Sequence, residues 1–135
     1  MPFELTIVTP HGEAYRGPVD RVVLPGTEGD FGVLPEHERF LTPLRVGSVE
    51  IGTGGQTLFA AIADGFAEVS GEHVAVLVDS CELASDIDTA RAELARDRAA
   101  QGLDSLDHET NEVRLAELQA ALDRARNRLE VAKRN

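Results

Sequence analysis

The chain has a single cysteine, Cys81, so no intrachain disulfide can form, and a thiol at the end of an apolar strand is ordinarily a small buried hydrophobe. Such sparing use of cysteine is compatible with a reducing compartment. No apolar run reaches the roughly 20 residues of a membrane-spanning helix. The opening Met1-Pro2-Phe3-Glu4-Leu5-Thr6-Ile7 lacks a basic segment followed by an apolar core. A soluble protein, or one held at a membrane through a partner, is expected. Basic residues are also scarce: 13 Lys and Arg stand against 24 Asp and Glu, a net charge of −11. An acidic body repels nucleic acid and anionic lipid, which leaves proteins carrying basic patches as the expected partners.

The residue patterns that carry catalysis are missing too. His11, His37, His73 and His108 lack metal-ligand spacing and read as turn or surface residues. The glycine-rich stretch Gly26 to Gly32 has no Gly-Lys-Ser/Thr ending, so its glycines serve turn geometry and do not form a phosphate loop. No spacing marks a pair of carboxylates for acid and base work. Chemistry by this chain alone is not expected.

What is present is a change of sequence grammar at Ser85-Asp86-Ile87-Asp88. Before it, short period-2 segments recur between turn signals: Phe3 to Thr9, Glu13 to Tyr15, Val19 to Leu24, Phe31 to Leu34, Val46 to Ile51, Thr57 to Ala63, Phe66 to Ser70 and Val74 to Val78. This is the spacing of a sandwich or barrel. Turns are expected at Pro10-His11-Gly12, Pro25-Gly26, Gly52-Thr53-Gly54-Gly55 and Ser70-Gly71-Glu72. The continuous apolar run Val74 to Val78 suggests a strand covered on both faces.

After the switch the period becomes helical. Ser85 or Asp86 is placed to cap a helix over about Ile87 to Gln101, with Gly102 as its stop and Ile87, Ala90, Leu94 and Ala95 as a weak apolar side. A polar hinge, Leu103 to Glu109, precedes a second helix over about Thr110 to Ala132. Its residues Leu115, Leu118, Leu122, Ala125, Leu129 and Ala132 form one narrow apolar seam, suited to packing on one partner at a time. Residues 1–86 carry a net charge of −10 and residues 87–135 a net of −1, so the acidity belongs to the first part. The chain therefore divides into a β-sandwich module, 1–86, and an antiparallel two-helix hairpin, 87–135.

Arg91 and Arg98 are seven apart on one face of the first helix, and Arg124 and Arg128 are four apart on one face of the second. In an antiparallel hairpin the two pairs can converge. Guanidinium groups grip phosphate oxygens through bidentate hydrogen bonds, so with a nearby carboxylate for a base or ribose they make a candidate nucleotide site. By spacing alone, a solvated face whose cations stabilise a helix C-terminus is the better account of them.

The string from Glu28 to Gly47, EGDFGVLPEHERFLTPLRVG, closely resembles the signature loop and strands of the epsilon subunit of F-type ATP synthases. Asp64-Gly65-Phe66-Ala67-Glu68-Val69 is similar to that family's Gly-Gly-Phe-x-Glu-Val segment, Arg124 to Ala132 is similar to its closing helix, and the resemblance spans the chain. It implies a ten-stranded β-sandwich with a C-terminal helical hairpin. It also implies a non-catalytic central-stalk subunit that sits on the gamma subunit and touches the membrane rotor ring. Asp30 and His37 match positions that lie near the ring in relatives, while Glu36 replaces the usual glycine between Pro35 and His37.

In that family the hairpin lies folded on the sandwich or extends along gamma among the alpha and beta subunits, where it blocks ATP hydrolysis. Some bacterial relatives bind ATP in the folded state through an Ile/Leu-Asp-x-x-Arg-Ala motif, a preceding glutamate and arginines of both helices. Here the matching residues are Ile87, Asp88, Arg91 and Ala92, with Glu82, Arg98, Arg124 and Arg128. The resemblance thus turns the arginines toward ATP as a regulatory ligand, with no cofactor required and the role of Mg2+ left open. It implies a peripheral protein on the cytoplasmic face of the bacterial plasma membrane, bound there only through the complex. A competing reading is a free-standing β-sandwich ligand-binding module whose hairpin dimerises through Leu115, Leu118 and Leu122.

Overall fold

The computed structural model describes residues 2–34, 37–106 and 112–134, with all their side chains except those of His37 and Glu38. Ten strands precede two helices among the described residues: β1 Phe3–Thr9, β2 Gly12–Val19, β3 Arg21–Gly26, β4 Gly29–Val33, β5 His37–Leu44, β6 Gly47–Thr53, β7 Gln56–Ile62, β8 Gly65–Gly71, β9 His73–Val78 and β10 Cys81–Leu83. The helices are α1, Thr89–Ser105, and α2, Glu112–Ala132. The strands form one sheet in the order β10-β7-β6-β3-β5-β8-β9-β1-β2, with β4 hydrogen-bonded to β3. All pairings are antiparallel except β1 with β9.

The sheet folds over on itself because alternate residues of distant strands share one core. Leu5 and Ile7 of β1, Val22 and Leu24 of β3, Val49 and Ile51 of β6, and Val74 and Val76 of β9 all belong to it and are almost wholly buried. This is the expected sandwich. The β6–β7 hairpin turns on Gly54 and Gly55, both at positive φ (56° and 80°), which a two-residue loop of this hand demands. One buried polar side chain, Thr6, meets His73 Nε2 at 3.1 Å across the parallel pair, so its hydroxyl is satisfied.

Several local expectations are corrected. Pro25-Gly26 is the paired end of β3, and the reversal comes after it, with Gly29 at a φ of 131°. Gly52 and Thr53 remain in strand β6, leaving only Gly54-Gly55 as the loop. β9 is not covered on both faces: Val74, Val76 and Val78 point inward while Leu77 is 52% exposed. β5 and β10 did not stand out in the period-2 pattern. β5 is charged at its start and carries Pro43, which lacks a ladder donor, and it joins β3 only at Leu44 opposite Gly26.

The helical part also departs from expectation. The cap of α1 is Asp88, whose Oδ1 accepts from the Arg91 N–H at 3.1 Å; Ser85 and Asp86 lie in a single 3₁₀ turn, Ala84–Asp86. α1 runs through Gly102 to Ser105, so this glycine does not end the helix. It lies where the helices touch: a Cβ there would be 3.0 Å from Leu118 Cδ2. The buried face of α1 is Ala92 and Ala99, whereas Ala90, Leu94 and Ala95 are exposed; with alanine on every side of the helix, sequence could not choose the face. Of the α2 seam, Leu118, Leu122 and Ala125 are buried and Leu115, Leu129 and Ala132 are half-buried, with Val131 added as its deepest C-terminal member. Leu103, Asp104 and Ser105 of the expected hinge belong to α1, while the hinge residues 107–109, the expected start of α2 at Thr110 and Glu36 lie outside the described residues.

Candidate functional site: the junction of the sheet with the hairpin

α2 rests on the outer face of β6 and β7. Here β7 loses its alternation, since Ala60, Ala61 and Ile62 are all buried. Val131 fills a small second core with Ala61, Ala84 and Ile87, edged by Phe59 and Ala132. Polar contacts surround it. Asn127 Nδ2 donates to the Gly47 carbonyl at 2.8 Å, Arg134 Nη1 donates to Ser48 Oγ at 3.2 Å, and the Arg134 guanidinium lies 5.4 Å from the centre of the Phe59 ring. Arg128 Nε donates to Glu82 Oε1 at 2.7 Å, tying α2 to β10.

Beside these contacts is a cavity of about 420 Å³ lined by Val46, by the Ala63-Asp64 and Asp79-Ser80 turns, and by Ala120, Asp123, Arg124 and Arg128 of α2. The two turns are held together by the Asp79 N–H donating to the Asp64 carbonyl at 3.2 Å and the Ala63 N–H to the Ser80 carbonyl at 3.1 Å. The cavity is electrically mixed, with two guanidinium groups and three carboxylates. Arg128 already shares one N–H with Glu82. Arg124 forms no ion pair among the described residues and is the cation left to meet an anion entering the cavity.

The sequence-selected residues are therefore brought together in part. Glu82 and Arg128 are bonded, and Arg124 and Arg128 share the cavity. Ile87 and Ala92 are buried packing residues, and the Asp88 carboxylate is engaged in capping α1. Arg91 and Arg98 stand exposed on α1, outside the cavity lining and without an ion pair among the described residues. Spacing did not single out Asp64, Asp79, Asp123 or Asn127; the chain returns the first two to α2 only through the folding over of the sheet, which no local pattern records.

Asp30, in β4, pairs with Arg45 Nη2. His37 begins β5 opposite Gly71, and its side chain is outside the described set. Burial pushes the Cys81 thiol up to about 11, with the adjacent Glu82 carboxylate adding to the rise, so it is a poor nucleophile at neutral pH. No group of metal-binding side chains occurs among the described residues, and no described helix is long and apolar enough to cross a membrane.

Residues 2–84 match the family model described as the ATP synthase delta/epsilon chain β-sandwich domain, and residues 85–133 match that of the ATP synthase delta/epsilon chain long α-helix domain. The chain is 41% identical over 130 residues to the ATP synthase epsilon chain of Halalkalibacterium halodurans, covering 96% of each. It is 45% identical over 127 residues to that of Nitratidesulfovibrio vulgaris, covering 94% of this chain and 92% of the relative. A chain in the cryo-EM structure of Euglena gracilis mitochondrial ATP synthase, OSCP/F1/c-ring in rotational state 1, superposes with a TM-score of 0.81 at 25% identity, covering 98% of this chain and 81% of that one. In fold alone it is similar to a chain of the Tetrahymena thermophila mitochondrial ATP synthase central stalk and c-ring, with a TM-score of 0.61 at 12% identity over 96% of this chain and 95% of that one. By sequence along nearly its whole length and by the pairing of a folded-over ten-stranded sheet with two helices, the chain belongs to the ATP synthase delta/epsilon chain family.

Proposed function

We propose that the chain is the non-catalytic epsilon subunit of an F-type ATP synthase central stalk. Its sheet joins gamma to the rotor ring, and its hairpin regulates ATP hydrolysis. The observation that carries the regulatory reading is the small, mixed attachment of α2. One buried valine, a handful of hydrogen bonds and the Glu82–Arg128 pair hold it on a sheet whose main core, among the described residues, contains none from a helix. A helix held in this way can leave without unfolding the sheet. Once extended, it would run along gamma among the alpha and beta subunits and block hydrolysis.

A docking face for gamma is available on the other half of the sheet. Pro43, Phe66, Leu77 and Val8 fall in one row across β5, β8, β9 and β1, with Leu41 in the next row. Phe66 and Leu77 are more than half exposed, an apolar stripe that a partner would cover. Asp30 and His37, at the β3–β4 and β5 end, would face the ring, which places the subunit on the cytoplasmic face of the bacterial plasma membrane through the complex alone. The dimerising-module reading loses support because Leu118 and Leu122 are already buried within the chain.

ATP is the proposed ligand of the folded hairpin. Arg124 and the remaining N–H donors of Arg128 suit phosphate oxygens, and Glu82 suits an amino or hydroxyl donor of the nucleoside. Arg91 and Arg98 would complete the clamp from α1. A ligand that binds only this arrangement stabilises it by its differential affinity and so relieves inhibition. Isothermal titration with ATP and ADP, with and without Mg2+, tests this. Saturable binding favouring ATP, lost in Arg91→Gln and in Arg124→Gln, is expected. No heat at millimolar ATP would sink the ligand while leaving the stalk role standing.

A further inference from the structure

The connection between β5 and β6 is Arg45-Val46, and it is pinned from three sides. The Arg45 N–H donates to the Pro25 carbonyl at 2.9 Å, its Nε to the Gly26 carbonyl at 3.2 Å and its Nη1 to the Val46 carbonyl at 3.2 Å. Its Nη2 pairs with Asp30 of β4, the one carboxylate bonded to it among the described residues. Gly47 follows. A Cβ there would lie 2.6 Å from Pro25 Cβ, so glycine lets the connection sit directly on the end of β3.

This connection is also where α2 docks. The Gly47 carbonyl accepts from Asn127, and Ser48 accepts from Arg134. Arg45 and Val46, with Asp64, form one wall of a groove whose other wall is Asp123, Arg126, Asn127 and Glu130 of α2. Arg45 therefore lies between Asp30, near the start of β4, and the groove that α2 lines. Its planar fork serves several acceptors at once, which a lysine ammonium cannot reproduce.

We propose that Arg45 is a coupling junction: its pair with exposed Asp30 fixes the Arg45-Val46-Gly47 connection in the form that receives Asn127, so a change at the start of β4 alters how tightly α2 is held. Coupling of this kind is reciprocal, so a docked α2 also orders the start of β4. The consequence for the assembled enzyme rests on the stalk reading; the junction itself does not. A partner cation that takes Asp30 from Arg45 would loosen the last turns of α2.

Hydrogen exchange on the whole isolated chain tests the junction, with the backbone amides of residues 126–134 as the readout. Asp30→Asn is expected to raise their exchange about threefold, the scale of a surface ion pair. Arg45→Lys should do the same despite keeping the charge. Asn127→Ala should raise exchange by a similar factor. The double variant Asp30→Asn with Asn127→Ala should equal Asn127→Ala alone, because the pair acts through that hydrogen bond. Unchanged exchange in Asp30→Asn, effects that multiply in the double variant, or an equal rise in the amides of β1 and β9 would each overturn the junction. If exchange responds as expected but inhibition of hydrolysis in the reconstituted enzyme does not, the junction stands and the regulatory role of the hairpin falls.

Discussion

Gly102→Ala sets two opposing effects against each other at one position. Gly102 lies inside α1, where alanine is better than glycine by about 1 kcal/mol because the unfolded chain loses less backbone freedom. The new methyl, however, would sit 3.0 and 3.1 Å from the two terminal carbons of Leu118, a side chain only 8% exposed and with little room to retreat. Overpacking of this kind costs about 1–3 kcal/mol. The closed hairpin should therefore lose about 1 kcal/mol net, while α1 as an isolated peptide should become more helical. Circular dichroism of the peptide and hydrogen exchange of α2 in the whole chain read the two effects separately. Leu118→Ala supplies the decisive background. It weakens the hairpin by about 2 kcal/mol but clears the space, so there Gly102→Ala should stabilise by about 1 kcal/mol. If Gly102→Ala stabilises the hairpin with Leu118 in place, or has the same effect in both backgrounds, glycine is not kept by the helix contact and the reasoning fails.

Val131→Ala should weaken docking of α2 by about 1–2 kcal/mol, seen as faster proteolysis within α2 with the melting of the sheet unchanged. Glu82→Gln should cost about 1 kcal/mol or less of the same docking, since the pair with Arg128 is partly exposed, and α2 exchange measures it. Burial on folding pushes the Cys81 thiol from its ordinary 9.0 up to about 11. A raised thiol pKa contributes stability that is complete below pH 9 and lost as pH rises through 11, so the urea midpoint should fall over that window and the fall should be smaller in Cys81→Ser. A midpoint equally flat in both proteins would refute the burial argument.

Much of the sheet was legible because burial on one face imposes a two-residue period that local sequence must obey; β1 was found to the residue on that ground. β5 and β10 escaped because their place is set by neighbours. Pro43 and the charges of β5 spoil the period, and β10 is three residues long. The site divides in the same manner. Arg124 and Arg128 were visible as an i,i+4 pair, and Glu82 only through resemblance, yet its bond to Arg128 spans 46 positions. Asp64 and Asp79 reach α2 through turns that meet only when the sheet folds over. Asp88 shows how one pattern supports two readings. A carboxylate three residues before an arginine suits a nucleotide motif, and it equally suits a helix cap; its carboxylate caps the Arg91 N–H.

Scale decides whether such a hairpin can act as a switch. Releasing α2 from the sheet exposes Val131, worth about 1.5–2 kcal/mol, and breaks the Asn127 hydrogen bond, worth about 1 kcal/mol. The Arg134–Phe59 contact and the Arg128–Glu82 pair add about 0.5–1 kcal/mol each. The total is on the order of 4 kcal/mol, and ordering entropy of the released helix offsets part of it. A ligand present at a hundred times its dissociation constant adds about 2.7 kcal/mol to the state that binds it. These quantities are of one size. Had α2 contributed to the main core, a nucleotide would have had no leverage over it; had it lacked Val131 and the Gly47 contact, there would be no folded state for the nucleotide to select. In the proposed switch, a separate small core under the last turns of α2 would keep the hairpin within reach of both a ligand and a competing surface while the sheet keeps its own core.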